Sequence, residues 1–263
     1  MSILEKLFHR KEIAEKQQKY EEYREKFREL GIELLYTDDV SFKNIEKIYK
    51  HIILLFDDNP ELPKGFLRKL YVGNQKWYER IECVKRERTL QGSTRWFKIN
   101  NELFASIFIS TDFMDIENMS KREQTIPIKE GMAIESVITH EFAHVMEYYI
   151  IYKIKKWDQN CPELSVVREA VTMSEIIDNK CDSEETYIVS MCEEIIRKFG
   201  VTREFRFRIL DSVGQYLGAL STRNYQEFYA EALAQYYCSD EPEPIAKEIY
   251  EKFQEIKSLY LEK

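Results

Sequence analysis

The sequence lacks the even set of cysteines typical of a disulfide framework and the C-x-x-C spacing of a cysteine zinc site. It contains five, which is an odd number, and no two of them form a C-x-x-C pair. Disulfide-stapled domains usually carry an even number, and zinc ribbons carry C-x-x-C pairs. We therefore expect reduced thiols in a reducing compartment. The five are Cys83, Cys161, Cys181, Cys192 and Cys238.

An excess of positive charge and long apolar runs are also missing. The formal net charge is −8, so no basic surface is available to neutralise phosphates, and we expect no nucleic-acid partner. No apolar run approaches the length of a membrane span, and residues 1–10 lack the apolar segment of a signal peptide. We expect no membrane association and a cytoplasmic location, with export by another route left open.

Glycine and proline, which most often interrupt helices, are scarce, with 8 and 6 respectively in 263 residues. Together with a charged content of 33%, this scarcity favours a mainly helical protein. The length fits one large domain, or one domain with an appendage.

Residues 11–30 are dense in charge and place apolar residues at the spacing of a helix seam. We predict a charged N-terminal helix within residues 1–35 and a main domain over residues 36–263. This helix either lies on the main domain or, in the alternative interpretation, binds a partner or a second copy. The apolar residues of the seam are Ile13, Tyr20, Tyr23, Phe27 and Leu30.

Between residues 66 and 110 the pattern indicates a small sheet. Phe66–Val72, Thr94–Ile99 and Leu103–Ser110 are rich in β-branched and aromatic residues, and Asn100-Asn101 is typical of a hairpin turn. Leu103–Ser110 is either an edge strand that receives an extended peptide or an ordinary core strand. A further short strand is predicted at Ile32–Tyr36. Helices are predicted at Phe42–Phe56 with Ser41 as cap, at Met132–Lys156, near 163–178, 183–199 and 203–220, and at Ile245–Leu261.

The predicted fold class is therefore α+β: mainly helical, with a small sheet before the helix at Met132–Lys156. That helix contains H-E-x-x-H at positions 140–144. Residues four apart share a helix face, so His140 and His144 can direct ring nitrogens at one Zn²⁺. Glu141 lies about 100° round the axis, where it can act as general base toward water without being a ligand. His51 has no ligand partner near it in sequence, and we interpret it as structural or exposed.

Catalytic zinc needs a third protein ligand. The chain lacks the metzincin pattern H-E-x-x-H-x-x-G-x-x-H. We select Glu227, on a segment rich in alanine and aromatic residues, as the third ligand. Glu231 is then the carboxylate that accepts from the free ring N–H of His140 or His144. In the alternative interpretation, Glu227 is the N3 residue of a capping box that begins at Asn224, and Glu231 faces solvent.

Residues 140–144 and 227–231 read H-E-F-A-H and E-F-Y-A-E. This pair of motifs resembles the gluzincin peptidases of the anthrax lethal-factor type and related peptidase domains encoded by phages and mobile elements. The resemblance implies a zincin-like domain, Zn²⁺ as cofactor, Glu227 as ligand and Glu231 as the carboxylate behind a ligand histidine. In that family a tyrosine seven residues before the ligand glutamate stabilises the oxyanion, but here that position is Leu220. Either Tyr216 or Tyr225 supplies the hydroxyl from another place, or the donor is absent.

These features predict a zinc-dependent endopeptidase that hydrolyses an extended segment of a protein substrate, with Glu141 as the general base. Two alternatives stay open. The first is a non-catalytic zinc-binding scaffold or interaction protein of a phage or mobile element, which Leu220 favours. The second is a helical protein in which the motif occurs by chance.

Overall fold

The computed structural model describes residues 17–85, 90–100, 102–114, 127–154, 187–199 and 225–261. Over these ranges the chain forms seven α-helices, a short 3-10 helix at Thr111–Phe113 and a four-stranded sheet, which confirms the predicted α+β class. The predicted helices near 163–178 and 203–220 lie outside the described residues. The strands are β1 (Glu33–Tyr36), β2 (Leu67–Gly73), β3 (Gly92–Ile99) and β4 (Glu102–Ser110). The helices are α1 (17–29), α2 (Phe42–Asp58), α3 (Gln75–Ile81), α4 (Ala133–Ile154), α5 (Tyr187–Lys198), α6 (Tyr225–Cys238) and α7 (Pro244–Tyr260).

The sheet is mixed and has the strand order β1-β2-β4-β3. β1 and β4 each run parallel to β2, whereas β3 and β4 form the predicted antiparallel hairpin. Asn100 adopts a φ of 50° in the turn of this hairpin, a conformation that asparagine tolerates better than most residues. β4 is an interior strand, so the core-strand interpretation of Leu103–Ser110 is confirmed and the edge-strand interpretation is wrong. Among the described strands, β3 forms the edge on this side of the sheet.

Different helices cover the two faces of the sheet. On one face, Leu103, Ile107 and Ile109 of β4 enter the main core, where α4 crosses β3 and β4 and α2 packs on α4. On the other face, Phe108 stacks on Tyr78 of α3, with ring centroids 4.1 Å apart. The sequence-based prediction has no counterpart of α3, because seven residues are too few to display a helical period.

α1 lies on the main domain. Its Tyr20, Tyr23 and Phe27 are buried in the main core, and edge-to-face contacts join Tyr23 and Phe27 to Tyr49 of α2. This packing matches the first of the two interpretations of the N-terminal helix. The predicted boundary after residue 35 falls inside β1, which pairs with β2 along its length. The division into two parts, and a partner for residues 11–30, stay predictions.

α7 forms hydrogen bonds with the C-terminal end of α2. Ser41 caps α2 as predicted, by accepting from the Asn44 N–H, and the helix runs to Asp58. The buried Lys257 Nζ donates to the Asp58 backbone oxygen at 2.7 Å and to Asn59 Oδ1 at 3.0 Å. The last helix therefore closes the core on the side of α2. Over the described ranges, none of the helices is both long and apolar enough to cross a membrane.

Candidate metal centre

The H-E-x-x-H residues lie on α4, which is buried along most of its length. This helix begins at Ala133, one residue after the predicted start, and is packed by α2, α6 and the sheet. The ring centroids of His140 and His144 are 5.0 Å apart. The helical period therefore places both imidazoles on one side of α4, as the spacing predicts.

α6 packs against α4 and carries the third predicted ligand. Glu227 lies in the first turn of α6, and its Oε2 is 3.3 Å from Nε2 of His140. One ligand atom each from His140, His144 and Glu227 form a set whose members all lie within 4.8 Å of one another. In a tetrahedral zinc site with bonds of about 2.0–2.2 Å, ligand atoms lie roughly 3.4 Å apart. Small side-chain rotations would close this set around one ion.

The carboxylate predicted behind a ligand histidine is Glu231, and it pairs with His140. Glu231 is fully buried, so the alternative in which it faces solvent is wrong. Its Oε1 lies 3.0 Å from His140 Nδ1, while Nε2 of the same ring faces Glu227. An outer carboxylate on one ring nitrogen orients the other nitrogen toward a metal. Of the two histidines that the sequence left open, the geometry selects His140.

His144 has an acidic neighbour to which the sequence-based prediction assigns no role. Glu147 follows it by three residues on α4, and Glu147 Oε2 lies 3.4 Å from His144 Nδ1. Side chains three apart on a helix are neighbours, so the spacing itself was a usable signal. From the sequence, Glu147 stands where the metzincin motif has glycine, and it is too close to the histidines on the same helix to reach round to the metal.

The electrostatics of the cluster favour bound positive charge. Burial lowers the pKa of His140, but the carboxylates of Glu227 and Glu231 outweigh burial and raise it to about 10. Burial also lowers the pKa of His144, and Glu147 outweighs it to give a net increase. In the metal-free protein, the proton on His140 therefore balances part of the negative charge of Glu227 and Glu231. A bound divalent cation would balance that charge instead.

Strand β3 contacts the predicted general base directly. Thr94 Oγ1 lies 2.7 Å from Glu141 Oε2 and 2.8 Å from the Glu141 backbone oxygen. A Cβ added at Gly92 would lie 2.7 Å from Glu141 Oε1 and 2.9 Å from Val137 Cγ1, so only glycine fits there without displacement. Burial raises the pKa of Glu141, while the two histidines and Thr94 oppose this effect. Sequence reasoning missed both β3 residues, although a glycine inside a strand is a known sign of close approach.

The three proposed ligand side chains are each partly exposed to solvent. The His140 side chain is 8% exposed, whereas those of His144 and Glu227 are 14% and 23% exposed. The proposed ligands are therefore mostly enclosed by protein but still reached by solvent. Partial exposure of the ligands suits a site with three protein ligands and a free coordination position.

The structure does not place a predicted oxyanion donor, Tyr216 or Tyr225, at the cluster. Tyr216 and position 220 lie outside these residues. Tyr225 is the half-buried first residue of α6, two residues before Glu227. Residues two apart on a helix do not share a face, so Tyr225 begins on a different side of α6 from Glu227. The role of either tyrosine stays a prediction.

Of the two interpretations of His51, structural or exposed, the structure agrees with the structural one. It is buried, and its Nε2 lies 2.6 Å from Thr139 Oγ1, on the residue before His140. Thr139 Oγ1 in turn donates to the Glu135 backbone oxygen. Burial lowers the pKa of His51 to about 4, so it is neutral at physiological pH. It joins α2 to α4 rather than joining the metal cluster.

A scan against protein-family models and searches of curated proteins and of solved structures found no match. The resemblance to gluzincin peptidases therefore stays an expectation. The function must accordingly be inferred from the geometry of the cluster and from the chemistry of its residues.

Proposed function

We propose that this chain is a zinc-dependent endopeptidase with its centre at His140, His144 and Glu227. The observation that carries the proposal is the convergence of these three side chains, from two helices far apart in sequence, beside Glu141. Two imidazoles and one carboxylate are a donor set that zinc prefers in hydrolases. Glu141, Glu147 and Glu231 are buried around them, which is costly without a compensating cation.

In the proposed reaction Glu141 is the general base. When bound, Zn²⁺ supplies Lewis acidity, which acidifies water and polarises a carbonyl group. Glu141 accepts the proton from water and later passes it to the leaving amine. Thr94 holds the Glu141 carboxylate, and Glu231 holds the His140 ring through Nδ1. The partial exposure of His144 and Glu227 leaves the centre accessible to substrate.

The proposed substrate is an extended segment of a protein, bound along β3. Among the described strands, β3 pairs with β4 alone, and it contacts Glu141 at Gly92 and Thr94. A sheet edge offers main-chain groups to an added strand, which gives affinity without a fixed sequence. The proposal includes no nucleic-acid or membrane partner. It places the protein in the cytoplasm, where Cys83, Cys192 and Cys238 would stay free thiols.

The first test is the metal content of the purified protein, measured by elemental mass spectrometry. We expect about one zinc per chain in the wild type and in Glu141→Gln, and a large loss in Glu227→Ala. Zinc retained in full by Glu227→Ala would mean a different third ligand. A wild type without zinc after reconstitution would contradict the proposal.

The second test is cleavage of proteins in a lysate, read as new N-termini by mass spectrometry. We expect new termini with the wild type and none with Glu141→Gln, because the variant keeps the metal ligands and loses the base. Zinc binding without any new termini would favour the alternative of a non-catalytic zinc scaffold or interaction protein of a phage or mobile element. Leucine at position 220, where the resembling peptidases have tyrosine, is the observation that favours this alternative.

A further inference from the structure

Strand β3 runs beside helix α4 and contacts it at three residues of one strand face. The contacts pair Gly92 with Val137, Thr94 with Glu141, and Trp96 with Tyr148. On the strand these residues are two apart, which places their side chains on the same face. On the helix their partners are four and then seven apart, which keeps them on one stripe. Position along β3 therefore corresponds to position along α4, and Trp96 lies about 7 Å along the strand from Thr94.

The same three β3 residues direct their main-chain groups away from β4. Ser110 donates its backbone N–H to the Gln91 oxygen at 2.8 Å, and the register between β3 and β4 is regular along the whole of β3. In an antiparallel pair, hydrogen-bonded and non-hydrogen-bonded positions alternate. Gly92, Thr94 and Trp96 therefore occupy the non-hydrogen-bonded positions, and their N–H and C=O groups point toward the edge of the sheet. A peptide added at this edge would bond to these three residues.

Trp96 is the aromatic side chain that β3 presents on the face that contacts Glu141. It is half-buried, with one side packed against the main core near Phe66. Its Nε1 is buried, so the accessible part of the ring offers an apolar contact rather than a hydrogen bond. The other aromatic residue of β3, Phe97, faces the opposite side of the sheet and stacks on Phe104 of β4.

We propose that Trp96 determines specificity by contacting one large apolar or aromatic side chain of the substrate, near the cleaved bond. This inference rests on the proposed function, with the substrate bound along β3. In such a strand the substrate residue opposite Thr94 lies beside Glu141 and flanks the cleaved bond. The next substrate side chain on the same face is two residues away and lies opposite Trp96, since side chains alternate along a strand.

The chemistry of this position favours an apolar partner. Side chains directly opposite each other on neighbouring strands have Cβ atoms about 4.5–5.5 Å apart, which is close enough for a ring to cover its partner. Arg95, the charged residue between Thr94 and Trp96, faces the other side of the sheet, where it pairs with Glu82 at 3.0 Å. An aromatic or large aliphatic partner of an indole ring should be preferred over alanine by about 3–10-fold.

The test is a cleavage-site profile of the zinc-loaded protein on a library of tryptic peptides from a cell lysate, read by mass spectrometry. We expect phenylalanine, tyrosine, leucine and methionine to be enriched at one position, two residues from a residue that flanks the cleaved bond. Two peptides that differ only there, with phenylalanine or alanine, then give a ratio of kcat/KM values. This ratio should be about 3–10 in the wild type and close to one in Trp96→Ala.

The matched control is Phe97→Ala, which removes the neighbouring aromatic ring from the other face of β3 and should keep the wild-type ratio. Both peptides are measured on one preparation, so a loss of folded enzyme cancels in the ratio. Should Trp96→Ala fail to fold, Trp96→Val carries the test, because valine suits a strand and removes the ring. Its ratio should also fall toward one.

The outcomes that overturn this inference differ from those that overturn the proposed function. Cleavage by the wild type without enrichment at that position, or with an equal ratio in the folded Trp96 variants, overturns the role of Trp96 and leaves the peptidase standing. A ratio that falls as far in Phe97→Ala also overturns it, because the effect then belongs to the strand as a whole. A zinc-loaded wild type that cleaves no peptide overturns both.

Discussion

Thr94 is the residue through which the sheet contacts Glu141, the proposed catalytic base. Its hydroxyl lies within hydrogen-bonding distance of both the Glu141 carboxylate and the Glu141 backbone oxygen. We predict that Thr94→Val lowers the rate of cleavage about tenfold or more while zinc content stays at the wild-type level. The reason is that a hydrogen bond to a charged group contributes about 1.5–3 kcal/mol. The measurement is kcat/KM on a peptide taken from the lysate cleavage sites.

Thr94→Ser is the control for that prediction. Serine keeps the hydroxyl and loses only a methyl group, so most of the activity should return. Equal losses in the serine and valine variants would show that the threonine packs rather than holds the base.

His140 should lose a proton when zinc binds. Its pKa is about 10 in the metal-free protein, whereas an unperturbed histidine titrates near 6.5. At pH 8 zinc must therefore displace about one proton from His140. Calorimetry in two buffers of different ionisation enthalpy measures this release. Glu231→Gln should release fewer protons, because one of the carboxylates that raise the His140 pKa has gone.

The same His140 pKa makes the stability of the metal-free fold depend on pH. A folded pKa above the unfolded value means that the charged His140 stabilises the fold fully below about pH 6.5. This contribution is lost as the pH rises through about 10. Without metal, alkaline conditions should therefore weaken the fold at this site.

The site residues differ in how far the sequence could predict them. His140, His144 and Glu141 follow from one helical repeat, and Glu231 from the apolar setting that it shares with Glu227. The contact of Thr94 with Glu141 has no such signal, because strand and helix meet only after folding. Nor could spacing alone choose between His140 and His144 as the partner of Glu231.

At the scale of elements, α7 contributes to stability through one buried lysine. Lys257 Nζ donates to the Asp58 backbone oxygen and to Asn59 Oδ1, at the end of α2. We predict that Lys257→Met lowers the free energy of unfolding by about 1–3 kcal/mol, because it leaves buried acceptors without their donor. Urea denaturation measures the change.

The matched control is Lys252→Met, on the same helix, whose lysine pairs with Glu255 at the surface. Exposed ion pairs contribute little, so this variant should unfold almost like the wild type. A Lys257 variant that behaves like the Lys252 variant would contradict the proposed tie between α7 and α2.

Element positions were largely predictable, whereas their arrangement was not. Leu103–Ser110 is a strand as expected, and the helix expected at Met132–Lys156 is described from Ala133 to Ile154. The order of strands depends on contacts between distant segments, so the sequence left open whether Leu103–Ser110 was an edge or an interior strand. Its pairing with both β2 and β3 decides this.

At the scale of the whole molecule, composition predicted the fold class because scarce glycine and proline favour long helices over a small sheet. It could not predict that α1 belongs to the main core. A charged helix with one apolar side packs equally well on its own chain or on another protein. The contacts of Tyr23 and Phe27 with Tyr49 are made within the chain.

The ligands of the proposed centre come from two segments about 80 residues apart in the chain. An ion bound between α4 and α6 would therefore act as a reversible cross-link that the unfolded chain cannot form. Mass action then ties the stability of the fold to the supply of metal: above saturation, each tenfold rise in free zinc adds about 1.4 kcal/mol to the free energy of unfolding. Under this proposal, withdrawal of zinc from the cell would destabilise the protein as well as remove its proposed activity, and the unfolded chain would be the form that cellular proteases degrade.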